Sequence, residues 1–165
     1  MLYVANVSED EVADPSENKY VKMVQEYAAA EGAQVIVVCA KIEEEISELE
    51  DEEKKEFLAE LGIAESGLDQ LIKASYSLLG LATYFTAGVQ EVRAWTFRKG
   101  MKAPQCAGII HSDFERGFIR AETVAFDDLV EYGSKPAAKE AGRLRSEGKE
   151  YVVQDGDVME FLFNV

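Results

Sequence analysis

Two stretches of sequence decide the fold of this chain: Leu2-Tyr3-Val4-Ala5-Asn6-Val7-Ser8-Glu9 and Val35-Ile36-Val37-Val38-Cys39-Ala40-Lys41. Each begins with an uninterrupted apolar run, which is typical of a strand buried on both faces. Between them, Pro15-Ser16 is a helix start, Gly32 is a helix stop, and apolar residues recur at helical spacing. A helix between two such strands forms a βαβ unit. The sequence therefore predicts two adjacent parallel strands.

The remainder of the first half reads as helical and acidic. One helix is predicted from Ile42 to Leu61, and another from Gly67 to Leu79. The acidic run at 50–53 lacks the glycine turns that aim carboxylates at a metal, so we interpret it as a solvated face. Together, residues 1–80 are predicted to form a partial parallel α/β layer.

After Gly80 the pattern changes to short strands with period-two alternation, clearest in Val92–Arg98. The order predicts a five-stranded β-grasp, a ubiquitin-like fold, for residues 81–165. Its expected elements are strands at 81–86, 92–98, 117–124, 151–153 and 158–163, a helix from Ala103 to near Gly108, and a helix at 126–132. The polar stretch Lys135–Lys149 is expected to be a mobile surface excursion. Asp155-Gly156-Asp157 is predicted to be a tight turn.

Charge divides the chain unevenly. The net charge is −15, of which residues 1–80 carry −13 and residues 81–165 carry −2. The first part would repel nucleic acid, whereas the second could carry a local basic patch. No apolar run approaches the roughly 18 residues needed to span a bilayer, so no membrane contact is expected. Cys39 and Cys106 lie far apart without metal or redox spacing, which indicates free thiols in a reducing cytoplasm.

Polar residues follow both apolar strands of the first half. Asn6, Val7 and Glu9 come after the first strand, and Cys39-Ala40-Lys41 comes after the second. Alone, Asn-x-x-Glu is a weak signal, because such an Asn commonly caps a turn and such a Glu lies at the surface. In P-loop GTPases, however, Asn-Lys-x-Asp and Ser-Ala-Lys loops at these points read a purine. Ligands of open α/β sheets bind beyond the carboxyl ends of adjacent strands. The context therefore favours purine recognition.

With these loops, the second half resembles the YchF-type Obg-like ATPases. The segments that carry the resemblance are 79–81, 84–88, 91–95, 99–100, 103–104, 111–122 and 151–158. The resemblance implies the C-terminal part of a cytoplasmic, translation-associated NTPase that prefers ATP to GTP and uses Mg²⁺. It implies that residues 1–80 end the nucleotide-binding domain and that residues 81–165 form a TGS domain meeting the ribosome or ribosomal RNA.

The resemblance also assigns roles to residues. Asn6, Val7 and Glu9 would contact the base, and the loop of Cys39, Ala40 and Lys41 would pack against it. Cys39 stands where the family usually has Ser, so its contribution is expected from the backbone. The sequence contains no G-x-x-x-x-G-K-[ST] phosphate loop. We therefore expect no catalytic residue here, no tight nucleotide binding by this chain alone, and a missing N-terminal half as its partner.

Six cations of the second half are candidates for RNA contact: Arg93, Arg98, Lys99, Lys102, Arg116 and Arg120. The alternative is that they balance neighbouring acids. Trp95 and Phe97 are interpreted as core rather than as a stacking platform, and His111 as a fold-forming cap rather than a catalyst. A second functional hypothesis remains open: a stand-alone RNA- or protein-binding module without a nucleotide role.

Overall fold

The computed structural model describes residues 1–88 and 91–164. They divide into two compact units, Met1–Leu78 and Leu79–Val165, and each is described by itself. The elements of the first unit are β1 (Leu2–Asn6), α1 (Glu9–Val12), α2 (Lys19–Glu31), β2 (Gln34–Val38), α3 (Ala40–Ser47), α4 (Asp51–Glu60) and α5 (Gly67–Leu79).

The first unit contains the predicted parallel pair. β1 and β2 pair in register, from Leu2 beside Gln34 to Asn6 beside Val38, and α2 is the helix that connects them and packs on them. Behind β2, Cys39, Ile42, Ile46 and Leu58 form a buried cluster that joins α3 to α4. The prediction of adjacent parallel strands is confirmed.

Two helix boundaries of the first unit differ from the sequence prediction. Pro15–Glu17 is a 3₁₀ turn, and α2 starts only at Lys19, because the Asn18 side chain accepts hydrogen bonds from the first-turn N–H groups of Tyr20 and Val21. The single helix expected from Ile42 to Leu61 is in fact two helices. Glu50 has extended backbone (φ −69°, ψ 157°), and with Glu53 it forms the capping box that begins α4.

The second unit contains a five-stranded mixed sheet. Its elements are β3 (Leu81–Ala87), β4 (Val92–Arg98), α6 (Ala103–Ile110), α7 (Ser112–Arg116), β5 (Phe118–Ala125), α8 (Phe126–Tyr132), α9 (Lys135–Glu140), β6 (Arg145–Glu147) and β7 (Asp157–Phe163). The strand order is β4-β3-β7-β5-β6, with β3 and β7 parallel and every other pair antiparallel. This is the predicted β-grasp arrangement.

Tyr84 lies at the centre of the second unit. It is fully buried, its hydroxyl donates to the Cys106 carbonyl of α6 at 2.8 Å, and its ring meets Phe97 and Phe161 edge-on. Burial raises the pKa of the Tyr84 hydroxyl, and it raises the pKa of the Cys106 thiol to about 12, so both groups stay neutral. The strand–helix packing thus has a satisfied polar contact inside an apolar core.

Three sequence predictions for this unit were wrong in detail. Lys135–Lys149 is not a mobile excursion, because it contains α9 and β6. Tyr151–Val153 is not a strand; among these residues Val152 forms an isolated bridge, to Lys102, and the fourth strand along the chain is Arg145–Glu147 instead. Gly108 does not end α6, which continues to Ile110.

A buried carboxylate explains why residues 145–157 are ordered. Asp157 is 2% exposed and accepts hydrogen bonds from the Tyr151 hydroxyl at 2.6 Å, the Gln154 N–H at 2.9 Å and the Arg145 guanidinium at 3.1 Å. Tyr151 and Arg145 are thereby both joined to the start of β7, and β6 pairs with β5 along its backbone. Within residues 1–88 and 91–164, no helix is both long and apolar enough to cross a membrane.

We expect Asp157→Asn to lower the free energy of unfolding by about 2 to 4 kcal/mol, because it removes a buried, multiply bonded charge opposite Arg145. Urea denaturation followed by circular dichroism measures the change. Glu140→Gln, an exposed change on α9, is the control and should stay within about 0.5 kcal/mol of the parent. Equal stability of the two variants would contradict the role given to Asp157.

Candidate functional site

The predicted loops meet at one edge of the β1–β2 pair. The Val7 N–H donates to the Val38 carbonyl at 2.9 Å, which extends the strand pairing by one step. The Asn6 side-chain oxygen then accepts the Ala40 N–H at 2.9 Å, although the two residues are far apart in sequence. The parallel register therefore brings the Asn-x-x-Glu loop and the Cys-Ala-Lys loop into direct contact.

A second contact between the loops is an ion pair. The Lys41 ammonium contacts the Glu9 carboxylate and lies 3.8 Å from Glu45, one turn further along α3. The hydrogen bond to Glu9 raises the pKa of Lys41 above its ordinary value. The Lys41 and Glu9 side chains are 65% and 40% exposed, so the pair lies at the surface of the unit.

Two predicted site residues point into the protein. Val7 and Cys39 are buried, at 9% and 3% exposure. Cys39 packs with Ile42 and Ile46, and it begins α3 without a side-chain capping bond. Its thiol is therefore occupied by packing, which agrees with the expectation that only its backbone is available.

Helix α3, which carries Ala40 and Lys41, is held in place by Glu43. The Glu43 carboxylate accepts the N–H groups of Gly67 at 2.7 Å and Leu68 at 3.2 Å, the first residues of α5. A Cβ on Gly67 would lie 2.7 Å from Val38 Cγ1, so glycine is required for this close approach to β2. The Cys39-Ala40-Lys41 loop is therefore held by the contacts that α3 and β2 make with the start of α5.

Sequence analysis missed Glu11 and Asn18, which together with Ser8 hold the first loop in place. The Ser8 hydroxyl donates to Glu11 at 2.8 Å, and the Asn18 amide donates to the same carboxylate at 2.9 Å. These bonds lower the pKa of Glu11, with the Ser8 bond contributing most. The signal in the sequence was the Ser-x-x-Glu spacing of a capping box.

The contacts between the loops engage one side of each polar group. The Asn6 oxygen accepts the Ala40 N–H, which leaves the amide nitrogen of this exposed residue as its donor, and one oxygen of the Glu9 carboxylate contacts Lys41. This amide donor suits an acceptor such as a ring nitrogen of a purine. In the part of the chain that the structure describes, no cluster of three or more His, Cys, Asp or Glu could hold a metal ion. The expected Mg²⁺ is therefore assigned to no residue here.

The six candidate cations of the second unit are spread over the sheet. Arg98 lies beside Leu81 at the start of β3, whereas Arg93 lies about 17 Å away along β4. Because β3 and β7 are parallel and Phe118 pairs with Phe163 at the end of β7, Arg116 and Arg120 lie at the end of the sheet opposite Arg98. The six do not form one cluster.

Four of these cations have carboxylate partners. Lys102 pairs with Glu150, Arg116 with Asp113, Arg120 with Glu122 at 3.3 Å, and Arg93 with Glu91 at 3.9 Å. Among the described residues, Arg98 and Lys99 are the two candidates without an acidic partner. Electrostatic attraction for a phosphate backbone should therefore be greatest at the turn that follows β4.

His111, Phe97 and Trp95 have the structural roles that the sequence predicts. His111 accepts the Asp113 N–H at 3.2 Å and caps α7, which confirms its fold-forming role. Phe97 is core, at 2% exposure. Trp95 packs against that core, donates to Thr86 at 3.0 Å and carries the Arg93 guanidinium 4.2 Å above its ring.

We expect Asn6→Ala to release the Ala40 N–H and to lower its protection against hydrogen exchange about fivefold, the equivalent of one ordinary hydrogen bond. Amide exchange followed by NMR measures this. Ser47→Ala, which removes only a local bond to the Glu44 carbonyl, is the control. Unchanged protection at Ala40 in Asn6→Ala would show that the side-chain bond does not join the loops.

Comparisons with known proteins point to one family. The family model YchF-GTPase_C, described as "Protein of unknown function (DUF933)", matches residues 81–164. The chain is 78% identical over its whole length to the ribosome-binding ATPase YchF of Bacillus subtilis, and 57% identical over 99% of its length to that of Escherichia coli O157:H7. It spans 45% and 44% of those proteins.

Solved structures give the same result. The Schizosaccharomyces pombe YchF GTPase matches 98% of the chain at a TM-score of 0.86 and 36% identity, over 43% of its own length. A GTP-binding protein of Pyrococcus horikoshii OT3 matches 99% of the chain at a TM-score of 0.68 and 18% identity, which shows the fold alone. Sequence and structure together show that the chain belongs to the YchF family.

Proposed function

We propose that this chain supplies the base-recognition loops and a ribosome-contacting domain to an ATP-preferring, YchF-type NTPase. In this proposal residues 1–80 end the nucleotide-binding domain, and residues 81–165 are the TGS domain. The observation that carries it is the contact between the Asn6 side chain and the Ala40 N–H at the carboxyl ends of two parallel strands. The similarity to ribosome-binding ATPases supports the ribosome contact, and the setting proposed for it is cytoplasmic.

Base recognition rests on the two loops. Asn6, Val7 and Glu9 would line the base edge, and Cys39, Ala40 and Lys41 would back it, with Cys39 acting through its backbone. A GTPase-type Asp accepts the N1–H of guanine, a group that adenine lacks. Here the carboxylate is one methylene longer and is paired with Lys41, which supports a preference for ATP over GTP.

The phosphates and Mg²⁺ need residues from outside this chain. The sequence contains no G-x-x-x-x-G-K-[ST] motif, and charge-assisted bonds to phosphates supply much of the affinity for a nucleotide. The partner we propose is the N-terminal half of the nucleotide-binding domain. Hydrolysis would belong to the assembled protein.

Ribosome contact is proposed for the second unit. The first unit carries most of the negative charge and would be repelled by RNA. On the second unit, Arg98 and Lys99 have no acidic partner among the described residues, and they lie close in sequence to Lys102, which is paired with the exposed Glu150. Arg98 and Lys99 are the cations that an RNA backbone would reach with the least competition, and Lys102 would join them on releasing Glu150.

We expect this chain alone to show no ATP turnover above a buffer blank and to bind ATP more weakly than about 1 mM, because base contacts act without the phosphate contacts. Isothermal titration with ATP and Mg²⁺, together with a phosphate-release assay, measures both. Micromolar affinity or turnover would show that this chain holds the phosphates itself.

Arg98→Ala/Lys99→Ala/Lys102→Ala should weaken co-sedimentation with Bacillus subtilis ribosomes. The log–log salt slope should fall by about 0.7 to 0.9 for each phosphate that the variant no longer neutralises. The control is Arg93→Ala/Arg116→Ala/Arg120→Ala, which removes the same charge from acid-paired positions and should change the slope less. An unchanged slope in the first variant would assign Arg98, Lys99 and Lys102 to charge balance. If the chain binds ribosomes but neither the Asn6–Glu9 loop nor the Cys39–Lys41 loop responds to added purine nucleotides, a stand-alone binding module would be favoured instead.

A further inference from the structure

We infer that Lys41 is a positioning residue that sets the base selectivity of this site, because it holds the Glu9 carboxylate away from a bound purine. This inference rests on the proposed function and names the residue that would control its specificity. Its basis is the ion pair that joins the two loops.

The available donors and acceptors explain the effect. Guanine presents two donors on its recognition edge, N1–H and the exocyclic amine, and one oxo acceptor. In the two loops, Glu9 is the sole carboxylate that could accept these donors, and Lys41 contacts one of its two oxygens, Oε1. The Ala40 N–H, which could serve the oxo group, is already bound to Asn6. A bidentate contact of both guanine donors with Glu9 therefore requires Lys41 to leave that oxygen.

Adenine is excluded less strongly by the same arrangement. Its ring nitrogens are acceptors, and the Asn6 amide nitrogen is a donor that the bond between the Asn6 oxygen and Ala40 does not use. An adenine can take this donor without displacing Lys41 from Glu9. The selectivity thus arises from contacts already made within the unliganded protein.

The ion pair competes with guanine but does not block it. Both side chains are partly exposed, and exposed pairs are weak, so a ligand can displace Lys41 at modest cost. Glu45, 3.8 Å from the ammonium, offers Lys41 a second carboxylate when it leaves Glu9. A modest change in selectivity is therefore the expected consequence of removing Lys41.

The experiment titrates this chain with adenosine 5′-monophosphate and guanosine 5′-monophosphate and follows the Asn6, Val7 and Ala40 amides by NMR. The measured quantity is the ratio of the two affinities. Repulsion of the phosphate by the acidic unit, and any direct contact of Lys41 with the phosphate, affect both nucleotides alike and cancel in that ratio.

In Lys41→Met we expect the ratio to move toward guanine by about two- to fivefold, the range set by a surface ion pair. Lys41→Arg keeps the ion pair with Glu9, so its affinity ratio should equal that of the unsubstituted chain. Lys55→Met, which removes an exposed charge on α4, should match it as well. Glu9→Gln/Lys41→Met should lose the gain, because the amide replaces one of the two acceptor oxygens with an NH₂ donor that would face a guanine donor. Added salt should shift the ratio of the parent but not that of Lys41→Met.

The outcomes distinguish the role of Lys41 from the existence of the purine site. An unchanged ratio in Lys41→Met, with both nucleotides binding at the loops, would overturn the role of Lys41 and leave the proposed purine site intact. A shift of equal size in Lys55→Met would overturn it too, since the effect would then be one of net charge. If neither nucleotide perturbs the three amides in any variant, the purine site itself is wrong, and this inference fails with it.

Discussion

The in-register parallel pairing of β1 with β2 is the constraint on which the candidate site depends. Parallel strands end at the same edge of a sheet, so the residues that follow them meet whatever their separation in sequence. The Val7–Val38 bond continues the pairing past the last strand residues, and the Asn6–Ala40 bond follows from it. Moving the register by one residue would turn the strand side chains to the opposite faces and separate the two loops.

A site built in this way is satisfied before any ligand arrives. Its side-chain acceptors are bound to Ala40 and Lys41, and its first loop is braced through Glu11. Such preorganisation lowers the ordering cost of binding, and it also fixes which ligand groups find a partner. In the proposed function, affinity for the phosphates comes from other residues, and the chain spans less than half the length of the relatives it matches.

The second unit depends on a different kind of contact. The parallel β3–β7 pair places Tyr84 over α6, and the buried Asp157 joins Tyr151, Gln154 and Arg145. These satisfied polar contacts fix a rigid β-grasp on which surface charges have defined neighbours. As a result most of the candidate cations are neutralised locally, and the turn after β4 remains the most available to a polyanion.

The sequence alone determined the parallel strand pair, the β-grasp order and the family, because uninterrupted apolar runs, period-two alternation and local motifs are properties of short segments. It did not determine which segment forms the strand before β7, because Arg145–Glu147 is short and polar, and it is held by its antiparallel pairing with β5 and by the bond from Arg145 to the buried Asp157. Nor could it show that Lys41 reaches Glu9, or that Arg98 and Arg120 lie at opposite ends of the sheet. Those facts depend on strand direction and register, which bring together residues that are distant in sequence and separate others that are close. Tertiary structure alone decides them.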